Sequence, residues 1–242
     1  MARLTRHPSR LVEEPLHLAL AGRDVPLRLR RDGRARRLVL HIDPIGDGAI
    51  VTMPIGASAA EAVEFARRYA DWIAKRLMRL PPRVRFIAGA SVPVLGVDHV
   101  VRHRPEARRG VWRDSGAIHV SGDPEHLARR LRDWFKAEAR REVVGRVAPV
   151  AARIERAVGR ISIGDPRTLW GSCGRNGHLS FSWRLVMAPP AILDYVIAHE
   201  LAHLVWRGHG PRFWGLVDRL IDDAATPRAW LRAHGEGLHR YG

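Results

Sequence analysis

Eleven residues near the C-terminal end, His199 to His209, read H-E-L-A-H-L-V-W-R-G-H, and they constrain the fold more than any other stretch. Residues four apart on an α-helix lie about 6 Å along the axis and on one face, so His199 and His203 can present two imidazoles to one cation. Glu200 sits beside them, where its carboxylate can reach a metal-bound water without being a ligand. Catalytic zinc normally takes three protein ligands, so the chain must end this helix and bring one more donor back over the same face. His209 is the natural candidate. It follows Arg207 and Gly208, and a glycine in the left-handed conformation there would end the helix and turn the chain. Ala191 to Val205 is apolar enough for a buried helix, and Pro189 and Pro190 fit its first turn.

Two rival ligand sets read differently. The pattern H-E-x-x-H-x-x-G-x-x-H also puts its last histidine ten residues after the first, but Trp206 occupies its glycine position and no methionine follows Met187 to supply a Met-turn. A glutamate as third ligand would have to be Glu236, in the glycine-flanked stretch His234 to Gly237, which does not read as helix; it ranks below His209.

Three blocks give the chain a wider resemblance: W-G-S-C at Trp170 to Cys173, L-S-F-S-W-R-L-V-M-A-P-P at Leu179 to Pro190, and D-Y-V-I-A-H-E-L-A-H at Asp194 to His203 with H-G-P-R-F-W at His209 to Trp214. With R-A-R-R-L-V-L-H-I-D and D-W-I-A-K-R-L in the N-terminal half, the sequence resembles the YgjP-like zinc metallopeptidases, relatives of the SprT-like proteases. The resemblance implies His199, His203 and His209 as metal ligands and Glu200 as catalytic base. Leu169 stands where the family usually carries arginine, with Arg167 two positions earlier.

Composition sets outer bounds. With 242 residues, 46% hydrophobic and 27% charged, the chain can bury a substantial core. No apolar run approaches the roughly eighteen residues of a spanning helix, and Glu13 and Glu14 interrupt a would-be signal core, so the expected compartment is the cytoplasm and no membrane partner is expected. Cys173 is the only cysteine, which excludes an intramolecular disulfide and a cysteine-rich zinc site. The net charge of +16 raises nucleic acid as a partner. Arg28 to Arg37 holds six arginines in ten residues, several of which could share one sheet face. A solvated face outranks a nucleic-acid contact there, because charge runs are usually surface.

Along the chain, Val25 to Arg31, Arg37 to Asp43 and Ile50 to Pro54 read as strands of an antiparallel sheet. Ser58 with Glu61 makes a capping box, and helical spacing then runs to Pro81. Val92 to Val101 and a hairpin turning at Asp114, Ser115 and Gly116 add strand. From Pro124 a long helical stretch runs to about Val158, with a kink or break expected at Gly145 and Pro149. Strands at Arg160 to Ile163 and His178 to Met187 flank a W-G-S-C loop, and one of these two strands should present an edge to an extended substrate. Pro211 opens a last amphipathic helix carrying Phe213, Val217 and Leu220. The expected class is α+β, with a β-rich region over 1–123 and a zincin-like region over 124–242 containing a small antiparallel sheet.

Other residues carry blander readings. Tyr195 reads first as packing and second as a donor to an oxyanion, and Cys173 reads as a buried small residue. Trp170 and Trp183 read as core or cleft wall. Asp194 or Asp218 could orient a ligand imidazole. The expected activity is a peptidase with one zinc ion, acting on a protein or peptide; a basic nucleic-acid-associated protein and a zinc hydrolase of non-peptide amides are the alternatives. No oligomeric state is legible.

Overall fold

The structure is a computed structural model that describes residues 10–11, 16–20 and 22–242. Glu13 and Glu14 lie outside the described residues. Two compact units divide the chain at Pro81 and Pro82. The change of character at Pro124 is therefore the start of a helical stretch inside the second unit rather than the division between units.

In the first unit, β1 (Arg10–Leu11), β2 (Leu16–Leu20), β3 (Arg23–Arg31), β4 (Val39–Asp43) and β5 (Gly48–Met53) form one sheet in the order β1-β3-β5-β4, with β2 also on β3. Alternation does what it should: Val25, Leu27 and Leu29 are buried on one face of β3. The sheet is mixed, not antiparallel, because β5 lies parallel to β3 while β4 pairs antiparallel with it. Alternation says which face a side chain takes and nothing about a neighbour's direction. Ser58 caps α1 (Ala59–Arg68) with both bonds of the capping box to Glu61. The helical stretch then breaks at Tyr69 before α2 (Ala70–Met78), and Ala62, Ala66 and Ile73 cover the sheet. Three of the six arginines in the run have partners within the unit: Arg28 faces Asp43, Arg30 donates to Thr52, and Arg31 donates to the Ile55 and Ala57 carbonyls.

The second unit opens with β6 (Ser91–Val94), β7 (Val97–Arg104), β8 (Val111–Asp114) and β9 (Ala117–Ser121), in the order β6-β7-β9-β8. The expected single strand Val92 to Val101 is a hairpin, turned by Leu95 and Gly96 at φ 51 and 78. Leucine at a positive φ is uncommon, which hid the turn. The hairpin at Ser115 and Gly116 is as expected, with φ 46 and 72.

Pro124 starts a short 3-10 segment that runs into α3 (Leu127–Arg153). This helix stays one element through Gly145 and Pro149. Pro149 is exposed and its missing bond falls on the exposed residue Gly145, four positions earlier, where solvent can replace it. Leu127, Leu131 and Phe135 pack on the four-stranded sheet, while Val143, Val147 and Ala151 belong to a second core farther along. That second core holds β10 (Ile161–Gly164), β11 (Gly171–Cys173), β12 (Leu179–Ser182), α4 (Pro190–Ala202) and α5 (Pro211–Leu220); α6 (Ala225–Leu238) closes the unit. The small sheet has the order β10-β12-β11 and is mixed, β10 being parallel to β12, where an antiparallel sheet was expected.

Two further expectations fail here. W-G-S-C is not a loop but contains the edge strand β11, and the strand expected over His178 to Met187 stops at Ser182, giving way to a buried 3-10 turn over Trp183–Met187. Arg184 in that turn is 4% exposed. It pairs with Asp165 at 2.9 Å and donates to the carbonyls of Leu238 and Tyr241, so it ties three segments together. No helix among the described residues is long and apolar enough to cross a membrane.

The Leu95–Gly96 turn docks on the entry to α4, with Leu95 N donating to Val186 O at 2.7 Å and Gly96 N to Met187 O at 3.3 Å. A Cβ on Gly96 would lie 3.1 Å from Pro189 Cα, whereas one on Gly116 would meet nothing. Both positions carry left-handed strain, so Gly116→Ala should cost about 1 kcal/mol and Gly96→Ala clearly more, about 2 kcal/mol or above. Chemical denaturation of the two variants measures the difference; equal losses would show that the Pro189 contact carries no cost.

Candidate metal centre

Helix α4 is apolar almost all round, and Ile192, Leu193, Val196, Ile197, Ala198, Leu201 and Ala202 are buried. Such a helix must run through the interior. It ends sooner than expected: His203 is its C-cap at φ −69, ψ −14, and the chain then winds tightly, with Leu204 N donating to Leu201 O, and Val205 N and Trp206 N both to Ala202 O. Gly208 does not adopt a positive φ, so the left-handed glycine stop expected there is absent. The tight winding does that work instead. It also carries the Trp206 carbonyl to 3.0 Å from His203 Nδ1. A carbonyl can only accept, so Nδ1 holds the proton and Nε2 of His203 carries the free lone pair.

The structure brings His199, His203 and His209 together. One ligand atom from each lies within 4.8 Å of the others, and the Nε2 atoms of His199 and His209 are 3.2 Å apart. Glu236, the rival third ligand, is on helix α6 after all, and is not in this cluster. Phe213 on the first turn of α5 touches all three imidazoles, at ring-centroid distances of 4.9, 4.5 and 4.8 Å. Trp214 lies 5.8 Å from the His199 ring and 5.9 Å from that of His209. Sequence reasoning saw Phe213 as one face of a helix but not as the shared wall of the histidines.

Glu200 is 6% exposed and makes no hydrogen bond or ion pair among the described residues. Burial alone pushes its pKa up to about 7. A Cβ on Gly171 would lie 2.6 Å from Glu200 Cγ and 2.8 Å from Oε1, so the glycine of W-G-S-C is the space into which the Glu200 side chain fits. His199 is pushed down to about 4, first by burial and then by His203, His209 and Arg228, and burial lowers His203 as well. Neutral imidazole is the ligating form.

Neither aspartate proposed to orient an imidazole does so. Asp194 pairs with Arg146 at 2.9 Å, Asp218 is exposed, and His199 Nδ1 is buried without a partner. Tyr195 is 7% exposed with its ring 5.9 Å from that of His199. Cys173 is half-buried with its pKa raised by burial, and is not among the clustered donors. Arg207 reaches across to it, donating to the Cys173, Gly174 and Arg175 carbonyls and so fixing the end of β11 to the turn after α4. Trp183 is fully buried core, Trp170 lies 5.0 Å from the ring of His239, and Leu169 is 57% exposed.

A family model described as YgjP-like, metallopeptidase domain, matches residues 36–234. The chain belongs to the YgjP-like metallopeptidase family. The matched span includes the three clustered imidazoles, Glu200 and Gly171, and family membership implies a metal-dependent hydrolase. No curated protein and no solved structure matches the chain.

The raised Glu200 pKa has a thermodynamic consequence in metal-free protein. The folded state keeps a proton that the unfolded chain releases above the ordinary value of 4.5, so the stability Glu200 contributes is full below about 4.5 and is lost as pH rises to about 7. The opposite drift from His199 is common to wild type and Glu200→Gln and cancels between them. After chelation, the variant should therefore gain about 2–3 kcal/mol on wild type between pH 4.5 and pH 8, read from melts at both pH values. A pH-independent difference would contradict the buried, uncompensated carboxyl.

Proposed function

We propose that the chain is a zinc-dependent peptidase, with His199, His203 and His209 holding one zinc ion and Glu200 acting as general base. The observation that carries this reading is the convergence of three imidazole donors beside a buried carboxyl that makes no hydrogen bond or ion pair among the described residues. The donor set suits zinc: three imidazole nitrogens and no sulfur. Bound there, zinc supplies a Lewis acid that polarises the scissile carbonyl and acidifies the attacking water.

The chain's own residues supply the rest. Glu200, with a pKa near neutrality, takes the proton of the attacking water and returns it to the leaving amine. Phe213 and the Trp206 carbonyl hold the imidazoles in register. The substrate runs along β11. This strand is an edge of the small sheet and packs on α4; of the two strands the sequence offered for this role, β12 lies in the middle, and β10, the other edge, packs on α3. Bonds from Ser182 N to Trp170 O and from Gly174 N to His178 O place the backbone groups of Trp170 and Gly174 towards β12. Antiparallel alternation turns those of Gly171 and Cys173 outwards. Arg207 occupies the Cys173 carbonyl, so Gly171 offers the outward groups nearest Glu200 to a peptide backbone.

Metal analysis and a peptide-cleavage screen test this reading together. Glu200→Gln should keep zinc and lose about 10²–10⁴-fold in turnover, the range a positioned base contributes. His209→Ala should lose zinc on dialysis. Cleavage retained by Glu200→Gln would overturn the assigned base.

A further inference from the structure

Arg228 stands on α6, which packs against α4. Its guanidinium carbon lies 4.3 Å from the centroid of the Trp214 ring, and that same ring borders His199 and His209. One indole therefore joins a fixed cation to the histidine cluster. Arg228 is half-buried, yet it makes no ion pair and donates no side-chain hydrogen bond among the described residues. Arg146 and Arg184, also removed from bulk water, each hold a carboxylate. The acids nearest in sequence to Arg228 offer it nothing: Asp223 accepts from the backbone N–H groups of Ala225 and Thr226 at the start of α6, and Asp222 is exposed. Glu200 does not pair with it either.

A guanidinium drawn over an indole face makes no hydrogen bond to it, so its N–H donors remain available to a carboxylate. Arg232 stands one turn along α6 from Arg228, so the two cations share one side of that helix. We propose that Arg228, held over the Trp214 ring, binds a carboxylate of the peptide next to the bond being cut, so that the site selects acidic substrates. This rests on the peptidase reading above. The carboxylate can come from an aspartate or glutamate side chain or from the peptide's own C-terminus.

Four peptide hydroxamates separate these cases: the same short peptide with Glu or Gln at one position, each with a free or amidated C-terminus. Their dissociation constants are measured by calorimetry on the zinc-loaded protein. Wild type should bind the carboxylate-bearing probe at least about tenfold more tightly than its neutral partner, as a charged hydrogen-bonded pair implies. If the gap follows the Glu, the site reads a side chain; if it follows the free terminus, it reads the chain end. Arg228→Gln should bring the preferred probe down to the level of the neutral one, and Arg228→Lys should restore part of the gap. Tight and equal binding of all four probes to wild type would overturn this inference alone, as would a gap that persists in folded Arg228→Gln. Failure of every probe to bind would overturn it together with the peptidase reading.

Discussion

Burying Glu200 in an apolar helix costs free energy that no hydrogen bond or ion pair of the described residues offsets, and the surrounding structure is arranged around that cost. The carboxyl stays protonatable near neutral pH because it is dry, and it fits because Gly171 has no side chain. Gly171 is held at that spot by β11, whose far end Arg207 fixes to the turn after α4. Replace any one of these and the carboxyl is either crowded or wetted.

The histidines depend on how α4 stops. Had the helix continued as far as Val205, the chain would reach His209 from a different direction and the Trp206 carbonyl would serve the helix ladder. Ending at His203 instead produces a tight wind whose last carbonyl orients His203, and α5 then starts with Phe213 against all three rings. Behind this, α3 spans both cores of the second unit, so the four-stranded sheet and α4 share one spine.

Features with strong local chemistry were legible in the sequence. The capping box at Ser58, the turn at Ser115 and Gly116, the apolar run of α4 and the spacing of His199, His203 and His209 each state a geometry through the residues themselves. What was not legible depends on partners distant in sequence. Strand direction in the two mixed sheets, the edge position of β11 and the fit of Gly171 to Glu200 are set by what packs opposite. The Leu95–Gly96 turn was hidden because leucine disfavours the conformation it adopts, and the stop of α4 because a glycine nearby offered a simpler one. Arg228 carries no motif at all; only its place on Trp214 distinguishes it from the other arginines of a very basic chain.

On the proposed reading, three imidazoles converge on one zinc ion while Glu200 stays outside the coordination shell. X-ray absorption at the zinc edge of the metal-loaded protein tests it most directly. Multiple scattering from three imidazoles and no sulfur is expected; a sulfur from Cys173, or only two imidazoles in the shell, would refute the three-histidine site.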